Sequence, residues 1–555
     1  MKNHKRMNDN LKKLLMGNEA IAYGAIRAGV KVATGYPGTP SSEILECIQK
    51  IAPDYLYAEW SVNEKAALEV AAGAAIAGAR AMVTMKQVGL NVASDPLMSL
   101  NYIGVKAGLV VIAADDPGPI SSQTEQDTRR FGEFAKLAVF DPSSPKEAYI
   151  MIADAFEYSE KYGRPVLFRP TTRVCHSRDS IKTLPDLEQK PLGGFSADSG
   201  RWSIFPRLSY LNHLEIEKEL AELSREFSVY PGNILTGKGT KGIACGGVSY
   251  LYVKEALNKL SPRNSTEYKL LKVSTVPFPS KLGEEFLSGL EEALVVEELD
   301  PVIEDALIHV LGTRNTGAKI LGKRTGHIPN AGENSPNDVY QSIAEFLGFE
   351  SESLESEINR HINLSIPIRP PVLCPGCPHR GSFLAVKEAT KGKKAVFSSD
   401  IGCYTLGNAS PFNMADTCLC MGAGITMAQG LNLAEPDSFN FAFIGDSTFF
   451  HSGITGIINA VYNGANIIVC ILDNRTTAMT GGQPHPGVGF TLMNKPAAKL
   501  DIYKIVRAIG VTDIWRVNAF DHYKATEAVS HALEKKGVRV VIFEGACIML
   551  RKKGS

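Results

Sequence analysis

The sequence predicts an α/β protein of parallel sheets covered by helices on both faces, in two larger units flanking a smaller one. Two observations predict it, and the charge balance adds no further constraint. Short apolar runs alternate with helix-length segments in the first and last thirds of the chain, the pattern of a parallel sheet with crossover helices. The chain has 555 residues, too many for one core, and at about 150–200 residues per domain this gives roughly three domains. Lysine plus arginine and aspartate plus glutamate number 59 each, so no net field draws the chain toward nucleic acid or anionic lipid.

From Asn18 to Arg173 the apolar runs VKVATGYPG, ARAMVTMKQ, AGLVVIAADD and RPVLFRP alternate with helical segments. A stretch from Asp179 to Pro231 with scattered Pro and Gly reads as linker plus connecting helix. KGIACGGVSYLYVKEAL, a strand, a glycine turn and a helix, opens a small α/β unit that runs to Gly348. Its GKGTKG lacks the Walker order of glycines before Lys-Ser/Thr. After the polar segment ESESLESEINRHIN the alternation resumes in KKAVFSSDIG, NFAFIGDS, NIIVCILDN and VRVVIFEGA. The expected boundaries are residues 1–185, a linker at 186–232, 233–350 and 351–555.

The most apolar helix, AALEVAAGAAIAGARAMV, carries Glu69 and Arg80 and is mostly Ala and Gly, so no membrane span is expected. The basic N-terminal stretch lacks an uninterrupted apolar core and a small-residue cleavage site, which points to a cytoplasmic protein. Ten cysteines with uneven spacing read as intracellular thiols or metal ligands, not as a disulfide scaffold.

The chemistry concentrates where two apolar strands end, one in Gly445-Asp446 and the next in Asp473-Asn474. Ligands favour the carboxyl ends of strands in open α/β sheets, and helix N-termini there offer N–H groups to a diphosphate. A carboxylate, an amide oxygen and a backbone carbonyl would form a protein half-shell for magnesium. Taken alone, Gly-Asp after a strand is more often just an Asx-capped turn. The longer pattern GDSTFFHSGITGIINAVYNG followed by ILDNRTTAMTGGQPHPG resembles the thiamin-diphosphate motif of the indolepyruvate:ferredoxin oxidoreductase large subunit, within the 2-oxoacid:ferredoxin oxidoreductase family. The resemblance implies that Asp446, Asn474 and the carbonyl of Thr476 hold Mg2+, and that Tyr36, Gly445, Ser447 and Gly481 line the cofactor. It also implies a fold of two doubly wound thiamin-diphosphate domains, a pyrimidine domain at 1–185 and a diphosphate domain at 351–555, flanking a transketolase C-terminal-like domain.

Such cofactors need an acid at N1′ of the aminopyrimidine. Glu64, in SVNEKAALEV at the head of an alanine-rich helix, reads locally as N3 of a capping box with Ser61. The upstream YPGTPSSE resembles the pyrimidine-domain signature of the same family, which implies Glu64 at N1′ and Thr39 near substrate, with Glu59 as the second candidate acid. By the same likeness SSQTEQDTRRF offers Arg129 or Arg130 to an oxoacid carboxylate. His379, also expected near substrate, joins His451 and His485 as candidate proton donors.

In LCPGCPHRG, Cys374 and Cys377 form a C-x-x-C turn that is not a haem site, because Pro378 precedes His379. Zinc or an iron–sulfur cluster would need two further thiolates, and Cys403 and Cys547 are candidates. The set resembles the family's proximal 4Fe-4S site. Cys418 and Cys420, spaced tightly before a small-residue helix, are expected to be packed thiols. The family implies oxidative decarboxylation of an aryl or bulky 2-oxoacid to acyl-CoA, with CoA as co-substrate. It also implies a homodimer, a small beta-type subunit and a ferredoxin-like or flavin electron acceptor. The likeness stops at IMLRKKGS, where the family continues into a ferredoxin-like domain. Non-oxidative decarboxylation or carboligation therefore stays open as the alternative.

Overall fold

The computed structural model describes residues 12–187 except 53, 193–260, 267–349 except 315 and 316, 367, and 369–553. The segment ESESLESEINRHIN and the first eleven residues lie outside the described residues. The chain divides into two compact units, Met1–Glu59 with Glu64–Ser365, and Trp60–Asn63 with Ile366–Ser555.

The first unit begins with β1 (Lys12–Met16), β2 (Val32–Gly35), β3 (Tyr57–Trp60), β4 (Ala81–Lys86), β5 (Leu109–Ala114), β6 (Ala138–Phe140), β7 (Val166–Phe168) and β8 (Arg178–Lys182). It continues with β9 (Ile234–Gly237), β10 (Lys241–Gly246), β11 (Tyr268–Val273), β12 (Thr275–Val276), β13 (Glu292–Val296) and β14 (Lys319–Leu321). A seven-stranded sheet runs β12-β6-β7-β5-β4-β2-β3 and a five-stranded one β14-β13-β10-β11-β9. β1 and β8 pair antiparallel by themselves. β5, LVVIAA, is buried at every position, as a central parallel strand covered on both faces must be. β12, which comes from the small second α/β segment, joins the first sheet by pairing antiparallel with β6. The covering helices are set by local signals: in Pro145–Tyr162 the Ser144 side chain accepts from the N–H of Glu147, Pro145 opens the first turn, and Gly163 closes it in the left-handed region. The segment expected as linker and connecting helix carries the 22-residue helix Pro206–Phe227.

The second unit holds one six-stranded parallel sheet made from β15 (Ala395–Ser399), β16 (Thr417–Cys418), β17 (Phe439–Gly445), β18 (Ile467–Asp473), β19 (Asp513–Asn518) and β20 (Val538–Glu544), in the order β16-β15-β17-β18-β20-β19. Its two faces bury alternate residues. Phe441, Phe443, Cys470, Leu472 and Phe543 enter one core, while Ala442, Ile444, Val469, Ile471 and Ile542 enter the other. Such period-two division of continuous apolar strands is what helices on both faces require. The α/β class predicted from the alternation is the observed one. No helix among the described residues is long and apolar enough to cross a membrane.

Candidate active site

In the second unit, β17 and β18 are parallel neighbours with Gly445 opposite Leu472, so Asp446 and Asn474 follow adjacent strands at the same sheet edge. Asp446 is buried; its Oδ1 accepts from the N–H of Ser447 at 2.9 Å and its Oδ2 from the N–H of Arg475 at 2.6 Å and from His485 Nε2 at 3.0 Å. His485 Nδ1 accepts from the N–H of Gly487 at 3.1 Å, which leaves Nε2 as the protonated nitrogen. Burial pushes the Asp446 carboxyl up, but the His485 imidazole and the N–H donors outweigh it and hold it below the usual carboxylate range. Asp473 moves the other way, to about 7, through burial and the neighbouring Asp446 charge. The pair therefore presents an ionised Asp446 at the sheet edge.

Asn474 Oδ1 accepts from the N–H of Thr476 at 3.0 Å, and its amide nitrogen lies 3.3 Å from His379 Nε2. His379 is buried, and burial lowers its imidazole to about 4. Ser447 accepts from Thr477 Oγ1 at 2.8 Å. Gly481 and Gly482 both have positive φ, so the return after Thr480 needs glycine. Gly445 is a different case, because its φ is ordinary at −79°. A Cβ there would meet the Tyr404 ring at 2.7 Å, so this glycine makes room for a neighbouring side chain.

The donors fit a small hard cation: one ionised carboxylate and one amide oxygen, fixed by backbone N–H groups at adjacent strand ends. No group of three or more His, Cys, Asp or Glu side chains is arranged to hold a metal ion among the described residues.

Cys374 and Cys377 share a turn in which the Cys377 N–H donates to Cys374 O at 3.1 Å, and Cys377 precedes the helix Pro378–Ala389. Cys403 opens the short 3-10 turn Cys403–Asn408. The Cys547 N–H donates to Asn474 O at 3.0 Å, which ties it to the Asp446 edge. Burial and the charges of Cys377, Cys547 and Cys374 raise the Cys403 thiol to about 12, so the four thiols are electrostatic neighbours. Cys418 and Cys420, expected to be packed, are both exposed. Cys418 lies at the sheet's edge, in β16, where one flank of the strand has no neighbour to cover it.

In the first unit, Glu64 opens the helix Glu64–Ile76 and is buried. It does not stand two residues inside that helix, as the capping-box register with Ser61 would have it. A Cβ on Gly89 would meet Glu64 Oε1 at 2.6 Å, so the carboxylate rests on the backbone of the helix Gln87–Val92. Tyr36 is buried, and its N–H donates to Thr84 O at 3.3 Å. Thr39 is half-buried, and its carbonyl accepts from Ser121 Oγ at 3.4 Å. The second candidate acid, Glu59, accepts from Tyr57 Oη at 2.5 Å.

The two arginines depart from expectation. Arg129 is 3% exposed; it bonds Asp127 through Nε and Nη2, Glu297 through Nη1 at 2.9 Å, and the carbonyls of Glu298 and Asp300. Arg130 bonds Glu133, Asp305 and Pro301 O. Both guanidinium groups are committed to acceptors of the chain: Arg129 neutralises the buried carboxylates of Asp127 and Glu297, and Arg130 pairs with the part-exposed Glu133 and Asp305. Sequence reasoning missed the His485–Asp446 contact, the Tyr404–Gly445 contact and Lys86, which ends β4. A basic residue closing an apolar strand was the signal available for Lys86.

The family models for "Pyruvate flavodoxin/ferredoxin oxidoreductase, thiamine diP-bdg" and "Thiamine pyrophosphate enzyme, C-terminal TPP binding domain" match residues 23–196 and 400–543. The chain is 42% identical over 548 residues to indolepyruvate oxidoreductase subunit IorA of Methanothermobacter thermautotrophicus, covering 97% of this chain and 87% of that one. It is 40% identical to the subunit of the same name from Pyrococcus horikoshii, covering 97% and 86%. Among solved structures it resembles 2-oxoglutarate:ferredoxin oxidoreductase from Magnetococcus marinus at a TM-score of 0.49 and 17% identity, over 60% of this chain and 65% of that one. Two thiamin-diphosphate-binding modules on one α/β chain define a thiamin-diphosphate-dependent 2-oxoacid oxidoreductase subunit. Within that class, the chain belongs to the family of the indolepyruvate oxidoreductase IorA subunits.

Proposed function

We propose that the protein oxidatively decarboxylates an aryl or other bulky 2-oxoacid to its acyl-CoA. The observation that carries this reading is the ionised Asp446 and the amide of Asn474 at adjacent strand ends, in a chain 42% identical to an indolepyruvate oxidoreductase subunit. Asp446, Asn474 and the carbonyl of Thr476 hold Mg2+, and Tyr36, Gly445, Ser447 and Gly481 line the cofactor. Thiamin diphosphate, when bound, supplies the nucleophilic carbon and the electron sink for decarboxylation. Glu64 keeps a proton at N1′ of the aminopyrimidine, with Thr39 beside the substrate. His379, neutral at physiological pH because burial holds it near 4, can donate or accept a hydrogen bond without adding charge.

Cys374, Cys377, Cys403 and Cys547 hold a 4Fe-4S cluster that takes single electrons from the site. The shared turn of Cys374 and Cys377 and the tie from Cys547 to Asn474 support this assignment. A homodimer with a small beta-type subunit passes the electrons to a ferredoxin-like or flavin acceptor in the cytoplasm. Anaerobic purification with its partner subunit, followed by arylpyruvate- and CoA-dependent reduction of a low-potential dye, tests the reading. Dye reduction that requires CoA is expected; carbon dioxide release with no dye reduction would make the enzyme a non-oxidative decarboxylase.

A further inference from the structure

A 2-oxoacid presents a carboxylate beside the carbonyl that reacts, and orienting it calls for a cation or a set of donors. Arg129 and Arg130 are bound to Asp127, Glu297, Glu133 and Asp305. A different cation stands beside the Thr39 loop and Glu64. Lys86 is the last residue of β4, and its stem lies against Gly38, where an added Cβ would meet Lys86 Cγ at 3.1 Å and Cδ at 3.2 Å.

The Lys86 ammonium donates to Ser121 O at 3.1 Å, and the Ser121 hydroxyl donates in turn to Thr39 O at 3.4 Å. Glu64 and Asp116 are the charges that face it. Asp116 is itself taken up by the N–H of Ser121, the hydroxyl of Ser122 and the hydroxyl of Thr172. No carboxylate among the described residues reaches ion-pair distance of Lys86. An ammonium has three donors, and the carbonyl of Ser121 accepts one. Burial lowers the Lys86 pKa despite Asp116 and Glu64, as expected of a partly desolvated cation that an anion would stabilise.

We propose that Lys86 binds the carboxylate of the 2-oxoacid substrate, next to the Thr39 loop. The assignment rests on the 2-oxoacid reading above and names the residue that recognises the acid group. A single ammonium holds a carboxylate as a point charge, without the two-pronged geometry of a guanidinium.

The test compares binding of indole-3-pyruvate with that of its methyl ester, by calorimetry, to the assembled enzyme loaded with thiamin diphosphate and Mg2+ and lacking CoA. Wild type should favour the acid by roughly tenfold or more, the scale of one charge-assisted hydrogen bond. Lys86→Met should bind acid and ester alike, Lys86→Arg should keep the preference, and thiamin diphosphate affinity should be equal in all three. If Lys86→Met does not fold, Lys86→Gln, which keeps the length and a donor without the charge, takes its place with the same expectation. A charge-removed variant that still prefers the acid by the wild-type margin overturns the proposal, as does one that loses thiamin diphosphate instead. Wild type that takes up thiamin diphosphate yet binds neither acid nor ester would remove the 2-oxoacid reading itself, and the proposal with it.

Discussion

At the scale of residues, the candidate site is held by backbone donors and by glycines that make room. Glu64 lies where a Cβ on Gly89 would stand 2.6 Å from its Oε1, so Gly89→Ala should displace the carboxylate and lower turnover sharply while thiamin diphosphate still binds. Unchanged turnover in steady-state assay would show that the contact yields freely. Glu64→Gln should likewise abolish turnover with the cofactor retained, and an active variant would return Glu64 to a purely structural role. Gly445→Ala should destabilise the second unit by roughly 1–3 kcal/mol, the scale of an overpacked buried site, because the new methyl meets the Tyr404 ring at 2.7 Å. Urea denaturation measures this, and an unshifted midpoint would mean that Tyr404 moves aside at little cost. The Asp446–Asn474 pairing was legible in the sequence, since both residues directly follow apolar runs and adjacent parallel strands bring such ends together. The commitments of Arg129 were not legible, because Glu297 and the carbonyls of Glu298 and Asp300 arrive from about 170 residues away and no local pattern encodes them.

At the scale of elements, the parallel strands were readable because burial on both faces leaves continuous apolar runs, as in IIVCILD. β12 was not, because a two-residue strand has no periodicity to read and is defined only by its pairing with β6. The four expected cluster cysteines each sit at a junction: a turn before a helix, a short 3-10 turn, and the segment leaving β20. Such positions can re-aim thiols without breaking a sheet ladder. Cys377→Ser should therefore lower iron and acid-labile sulfide in anaerobically prepared protein to near background, leaving secondary structure by circular dichroism intact. Wild-type iron content in that variant would exclude this ligand set, and stoichiometric zinc in the wild type would replace iron–sulfur with a structural metal.

At the scale of the whole molecule, the first unit buries a charge cluster in which Arg129 and Arg169 face Asp115, Asp127, Asp141, Glu297 and Glu298. Burial raises Glu298 to about 7, against the pull of Arg169 and the Asn334 N–H. A carboxyl with a folded pKa above its unfolded value binds more protons when folded. Its favourable contribution is complete below the unfolded value, near pH 4–5, and is lost as pH rises through about 7. The loss is on the order of 3 kcal/mol for a shift of this size. Asp127, lowered to about 2 by Arg129 and Arg169 against its burial, works in the opposite sense and loses its contribution as pH falls below about 4. Glu298→Gln, which keeps an acceptor for the Asn334 N–H, should flatten the decline of Tm between pH 5 and 8. A variant whose Tm declines as steeply as wild type would show that Glu298 is ionised throughout. The division of the chain into α/β segments followed from alternation alone, whereas this cluster joins strand ends distant in sequence and is visible only once they are folded together.

The central claim is a magnesium-dependent thiamin-diphosphate site built on Asp446, and the most direct measurement is calorimetric titration of the purified protein with thiamin diphosphate, with and without Mg2+, for wild type and Asp446→Ala. Stoichiometric, Mg2+-dependent binding by wild type and its loss in the variant is the predicted result. Full cofactor binding by Asp446→Ala, or wild-type binding indifferent to Mg2+, would contradict it.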